Sequence, residues 1–160
     1  VASTTPGRPV AAARESAPGT DNHAAAYGHP ADRRERRAIT ALVTRYYTAA
    51  AADDGVGACT LIYSKLAASV AEDYGRPPGP PSLRGSSCHA VMTKLFKQVP
   101  DQPPAVLART RVTDVRTYGG RGFALLRSKA MPHGEIPVIR EGSRWTVQWL
   151  IGREIGPGHP

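Results

Sequence analysis

Cysteine, aromatic side chains and long apolar runs are all scarce in this chain. Only two cysteines occur, Cys59 and Cys88. A multi-bridge disulfide scaffold or a zinc site built from four cysteines therefore has no material to be made from. Aromatic residues are 6% of the sequence, although hydrophobic residues reach 41%, enough for a core built mainly from aliphatic side chains. No apolar run approaches the roughly 18 residues that a membrane-spanning helix needs. No glycine–serine elbow, phosphate-cradling glycine loop or zinc-type histidine pair occurs. The five histidines are scattered, with His23 and His29 early, His159 near the end and His133 in a Pro-Gly turn. His89 adjoins Cys88 and projects to a different side of a helix, so no metal site and no cofactor is expected.

At 160 residues the length suits one domain with a tail. Residues 1–31 are rich in Ala, Pro, Gly, Ser and Thr without an apolar period, which reads as a disordered tail or tether. Residues 32–152 carry the periodic patterns of the domain, and residues 153–160 read as a flexible C-terminus. The chain starts at Val1 rather than Met. A removed signal peptide, trimming, or a start codon read as Val would each account for this.

Three amphipathic segments come first. Asp32 is a natural N-cap for a helix to about Ala52, with Ile39, Leu42, Val43, Tyr46, Tyr47 and Ala50 on one stripe. Asp53-Asp54-Gly55 stops it. A second helix is predicted over Val56–Asp73, with Cys59, Ile62, Leu66 and Val70 on one face. The proline-rich run from Gly75 to Pro81 is a stiff loop. Ser86 or Ser87 then caps a third helix that turns Cys88, Val91, Met92, Leu95 and Val99 inward. Pro100, Pro103 and Pro104 close the helical half. Four strands are predicted over Val106–Tyr118, Phe123–Ala130, Ile136–Arg140 and Arg144–Ile151, folded into hairpins at Gly119–Gly122 and Glu141–Ser143. Trp145, Val147 and Trp149 alternate with Thr146, Gln148 and Leu150, giving the last strand one buried face. The fold class is thus α+β, three N-terminal helices packed on a curved antiparallel sheet.

Cys59 and Cys88 both fall near the starts of neighbouring helices, where a bridge is geometrically easy. Closing a loop of that length would stabilise the fold by about 3–4 kcal/mol. Two buried free thiols are the alternative, since Cys is a common core residue. A bridge would point to an oxidising, exported setting: secreted, or anchored to the outer face of a membrane.

The formal net charge is +8, from 21 Lys and Arg against 13 Asp and Glu. Arg8 and Arg14 balance Glu15 and Asp21 in the tail, so the excess sits in the domain. Arg33, Arg34, Arg36 and Arg37 surround Glu35 at a helix start, the end of the dipole that disfavours cations. Arg109, Arg111, Arg116, Arg121, Arg127 and Lys129 mark the first two strands. Interleaved exposed aromatics are lacking there, which argues against single-stranded nucleic acid. The two readings left for these arginines are a solvated face and an anionic membrane surface.

Tyr46-Tyr47 followed by Ala-rich turns and Asp53-Asp54-Gly55, then Leu83-Arg84-Gly85 before a helix, and finally a hairpin entering a strand at Trp145, together resemble the nuclear transport factor 2-like cone fold. That superfamily also holds polyketide-cyclase-like and ketosteroid-isomerase-like proteins. The resemblance covers about residues 33 to 151 and rests mainly on the order of elements. It departs between the second and third helices, where the family has a strand hairpin and this chain a proline loop. The resemblance implies a pocket lined by Tyr46, Tyr47, Trp145 and Trp149. It also implies candidate acid–base groups, Tyr46 for the buried tyrosine and Glu135 for the hydrogen-bond donor, with Asp73 the nearest carboxylate for a base. The plainer alternatives are a core tyrosine and a strand-end surface charge. The favoured function is an exported or tethered non-catalytic domain that binds a small apolar ligand or a protein partner, with homodimerisation open. The other is an isomerase- or cyclase-like enzyme acting on a hydrophobic polycyclic substrate.

Overall fold

A computed structural model describes residues 23–98 and 102–154. Val99 and the first 22 residues of the tail lie outside these, as do residues 155–160. The described chain opens with one helical turn, α1 (His23–Ala26), and two residues of strand, β1 (His29–Pro30). Both belong to the folded body, so the boundary predicted after residue 31 falls inside it. Ala24 is fully buried, and the Tyr27 ring meets Phe123 edge-on at 5.1 Å. Apolar contact at Ala24 and Tyr27, together with the pairing of β1 along the sheet, holds a segment that lacks any periodic signal.

Helix α2 (Arg33–Ala51) begins where predicted, with the Asp32 carboxylate accepting from the Glu35 N–H at 2.8 Å. Its buried stripe is Ile39, Leu42, Val43, Tyr46, Tyr47 and Ala50, joined by Ala49. Asp53 at φ +53° ends it, and Asp54 caps the next helix through the Gly57 N–H. The predicted second helix is in fact two, α3 (Gly55–Leu61) and α4 (Ser64–Asp73). The break has a definite cause. Ile62 turns extended and bridges Val147 in parallel, and the Tyr63 N–H donates to the Val147 carbonyl at 2.8 Å. Hydrogen bonding to an exposed strand edge thereby outweighs continuation of the helix.

A 3₁₀ turn over Pro81–Leu83 follows the proline loop, and Ser87 caps α5 (Cys88–Lys97). The inward residues of α5 are Val91, Met92 and Phe96, while Leu95 and Cys88 are half-buried. Pro104 starts rather than ends helical structure. It occupies the first position of α6 (Pro104–Leu107), where no amide donor is required, and this converts the beginning of the predicted first strand into a helical turn.

The remaining strands are β2 (Arg111–Tyr118), β3 (Arg121–Arg127), β4 (Gly134–Glu141), β5 (Arg144–Val147) and β6 (Arg153–Glu154). Neighbours run antiparallel in the order β1-β2-β3-β4-β5, and β6 pairs with β4 beyond β5. The β2–β3 turn is the two residues Gly119 and Gly120, both at positive φ, with Tyr118 opposite Arg121. The last strand stops at Val147, four residues short of the predicted end, and Trp149 lies outside it. Residues 153 and 154, predicted as flexible, pair with β4.

One sheet face carries Val115, Ala124, Leu126, Ile136, Val138, Trp145 and Val147. These join the buried stripes of α2 and α5 in the core, an α+β arrangement of helices on an antiparallel sheet.

Candidate functional site

Cys59 and Cys88 are disulfide-bonded, with their Cα atoms 6.2 Å apart. The bridge ties α3 to the start of α5. Gly55 permits the approach, since a Cβ there would lie 2.3 Å from the His89 carbonyl oxygen and 2.4 Å from Thr93 Oγ1.

Tyr46 is buried between α2 and the sheet, edge-on to Phe96 and to Tyr47. Its hydroxyl donates to the Leu150 carbonyl at 2.5 Å. Burial, reinforced by the neighbouring Tyr47, pushes its pKa far above the ordinary tyrosine value. Tyr47 is raised by burial too. The Gly152 N–H opposes this weakly, although the hydroxyl makes no well-formed hydrogen bond. Both hydroxyls stay protonated, and that of Tyr46 is occupied by its bond to Leu150.

Glu135 is not a surface charge. It is 0% exposed and sits opposite Leu125 and Arg153 in the sheet register. Alternation along β4 nevertheless separates it from Tyr46. Ile136 and Val138 occupy the helix-facing side, so Glu135 is on the other side of the sheet. Asp73 is exposed at the end of α4. The three groups that an acid–base site would need do not meet.

The four aromatic residues expected in one pocket are also divided. Tyr46 and Tyr47 are core side chains. Trp145 is buried and contributes to a small cleft of about 300 Å³ with Leu42, Arg45 and Arg144. Trp149, 39% exposed, belongs to a different cleft of about 510 Å³. Leu83 and Val91 form the floor of this second cleft, half-buried Leu66, Leu95 and Leu150 its walls, and Tyr74, Pro80 and Trp149 its rim. No carboxylate or amine lines it. Sequence reasoning places Leu66 and Leu95 on core stripes, uses Leu83 only within the Leu83-Arg84-Gly85 motif, and passes over Tyr74. The available signal is that Leu66 and Leu95 stand at the edges of their stripes, beside a proline loop too stiff to cover them.

Among the arginines, Arg36 binds the Asp114 carboxylate and the Thr113 carbonyl, both at 3.1 Å. Arg116 donates to the carbonyls of Tyr27 and Gly28, fastening the N-terminal segment to β2. Arg111 and Arg127 stand directly opposite one another across β2 and β3, an arrangement that costs sheet stability. Among the described residues no helix is long and apolar enough to cross a membrane, and no three His, Cys, Asp or Glu side chains gather as metal ligands. No known protein family, curated protein or solved structure matches the chain.

Proposed function

We propose that this is an exported, non-catalytic binding domain that takes a small apolar ligand in the cleft beneath Trp149. One observation carries the reading. A concave apolar surface of about 510 Å³ is left open between α4, α5 and residues 148–151, within the size range of small-molecule sites. A cluster of buried and half-buried leucines rimmed by Tyr74 and Trp149 offers area without charge, which favours an uncharged, hydrophobic occupant. The disulfide fixes α3 to α5, whose residues Val91 and Leu95 line the cleft, so the site is stiffened before a ligand arrives. The bridge also supports an oxidising compartment. Kinship with the nuclear transport factor 2-like cone fold belongs to the same proposal, supported by the run of helices followed by the β2–β5 meander.

The test is a fluorescence titration with the uncharged probe N-phenyl-1-naphthylamine. Saturable enhancement of probe emission, lost in Trp149→Ala and Leu95→Asp but kept in Tyr46→Phe and Glu135→Gln, is the expected result. Enhancement that survives Trp149→Ala and Leu95→Asp, or none in the parent, rules this cleft out.

A further inference from the structure

The end of the molecule that holds the start of α2 and the β2–β3 turn is strongly basic and carries an exposed aromatic ring. Arg33, Arg34 and Arg37 line one open hollow with Ala38, and among the described residues their side chains make no hydrogen bond or ion pair. The hairpin tip is tied to the same place. The Thr117 hydroxyl donates to Glu35 in the first turn of α2 at 3.0 Å, and β1, just ahead of α2, pairs with Arg116 and Thr117. Next in sequence is Tyr118, 67% exposed at the edge of the Gly119–Gly120 turn. Arg121 follows that turn, and the Arg140 N–H donates to the Gly120 carbonyl at 2.8 Å, which sets a further arginine beside the tip.

The nearby acids offset only part of this charge. Asp114 is paired with Arg36, while Glu35 and Asp32 accept from the neutral Thr117 hydroxyl and Glu35 N–H and keep their charges; Arg33, Arg34, Arg37, Arg121 and Arg140 outnumber those two. Arg33 and Arg34 stand in the first turn of α2, at the positive end of its dipole, where unpaired cations cost stability. Helix stability therefore does not account for them.

We propose that this end docks on an anionic lipid surface, with the arginines on headgroup phosphates and Tyr118 at the headgroup level. Guanidinium groups pair with phosphate in a bidentate manner, and tyrosine partitions to the membrane–water interface. A lone protruding tyrosine flanked by arginines fits a bilayer better than a nucleic acid, which would call for a row of stacking rings. The face is separate from the apolar cleft, so either proposal can fail alone.

The measurement is cosedimentation of the full chain with vesicles of phosphatidylcholine, with and without about one third phosphatidylglycerol. Binding should need phosphatidylglycerol and fall as salt rises. Removing Arg34 or Arg37 as Arg34→Ala or Arg37→Ala should weaken it about fivefold each, and Tyr118→Ser should weaken it further. Val56→Ser changes an equally exposed apolar residue (64%) just past the far end of α2 and should leave binding unchanged. All these side chains are exposed, and a circular dichroism melt matching the parent verifies folding. Equal binding to both vesicle types, or indifference to Arg34→Ala and Arg37→Ala, overturns the proposal. A duplex or single-stranded oligonucleotide that displaces the vesicles at matched phosphate concentration overturns it too, by making this a general polyanion site. Binding of soluble glycerol phosphate as strong per phosphate as that of vesicles would reduce it to a free-phosphate site.

Discussion

Two adjacent tyrosines show how burial and hydrogen bonding separate at a single residue. Tyr46 donates to the Leu150 carbonyl, whereas the Tyr47 hydroxyl is buried without a well-formed bond. Removing the Tyr46 hydroxyl should therefore leave a carbonyl unpaired and destabilise the fold by about 1–2 kcal/mol. Tyr47→Phe discards a desolvated group with nothing to lose and should be neutral or stabilising by about 1 kcal/mol. Urea denaturation of the two variants reads this directly, and equal destabilisation would show that Tyr47 is fully bonded. Apolar spacing identifies both residues as buried. It does not distinguish them, because the Leu150 carbonyl and the Gly152 amide belong to a segment whose alternation mimics regular strand. Glu135 escapes for a related reason: a carboxylate at a strand start looks like a surface charge until β6 is known to pair beside it.

Where an element ends is less legible than that it exists. The stripe of α2 and its Asp32 cap follow from spacing and cap chemistry alone, as do the glycine turn of β2–β3 and the loop made by the prolines. The division between α3 and α4 does not, since Cys59, Ile62, Leu66 and Val70 satisfy a helical period throughout. Only the edge of β5, far away in sequence, extracts Ile62 and Tyr63 from the helix. That junction is held further by Glu141, which accepts from the Ser64 hydroxyl and backbone N–H. These bonds, with a smaller contribution from Arg144, hold the Glu141 pKa below its usual value. A depressed folded pKa contributes stability above the unfolded pKa and loses it as pH falls through the folded one. Parent stability should therefore decline in acid, from the ordinary glutamate range downward, more steeply than that of Glu141→Gln; parallel melting curves between neutral pH and pH about 3 would contradict this. On the helical side, Gly55→Ala should force α3 from α5 and lower stability by about 2 kcal/mol or more, whereas reduction of the disulfide should cost about 3–4 kcal/mol. A Gly55→Ala melt unchanged from the parent would mean that the two helices do not press together there.

At the scale of the whole molecule, composition identifies an excess of positive charge, and the periodic patterns and their order identify an α+β domain. The cysteine positions leave a bridge or two buried thiols open until the structure shows the bond. Composition misses where the body begins. Deletion of residues 1–22 should leave the melting temperature nearly unchanged, since Val1 and Val10 are its only large apolar residues. Deletion through Pro30 removes Ala24, the Tyr27–Phe123 contact and β1, so it should cost about 2 kcal/mol or more. Equal melts would show that the N-terminal segment is dispensable. The candidate site is the least legible part, because four aromatic residues expected in one cavity serve as core, as the wall of a small basic cleft and as the rim of a larger apolar one. No periodicity separates these roles; the early end of β5 does, by sending Trp149 away from Trp145. The central claim is that the apolar cleft under Trp149 is where this domain binds. Its most direct test is a nuclear magnetic resonance titration of the labelled protein with N-phenyl-1-naphthylamine, following the methyl groups and the tryptophan indole N–H signals. Saturable shifts at the Trp149 indole and the Leu66, Leu83 and Leu95 methyls, with Trp145 undisturbed, are the predicted result. Shifts centred on Trp145 or on methyls around Glu135, or no saturable shift at all, would contradict it.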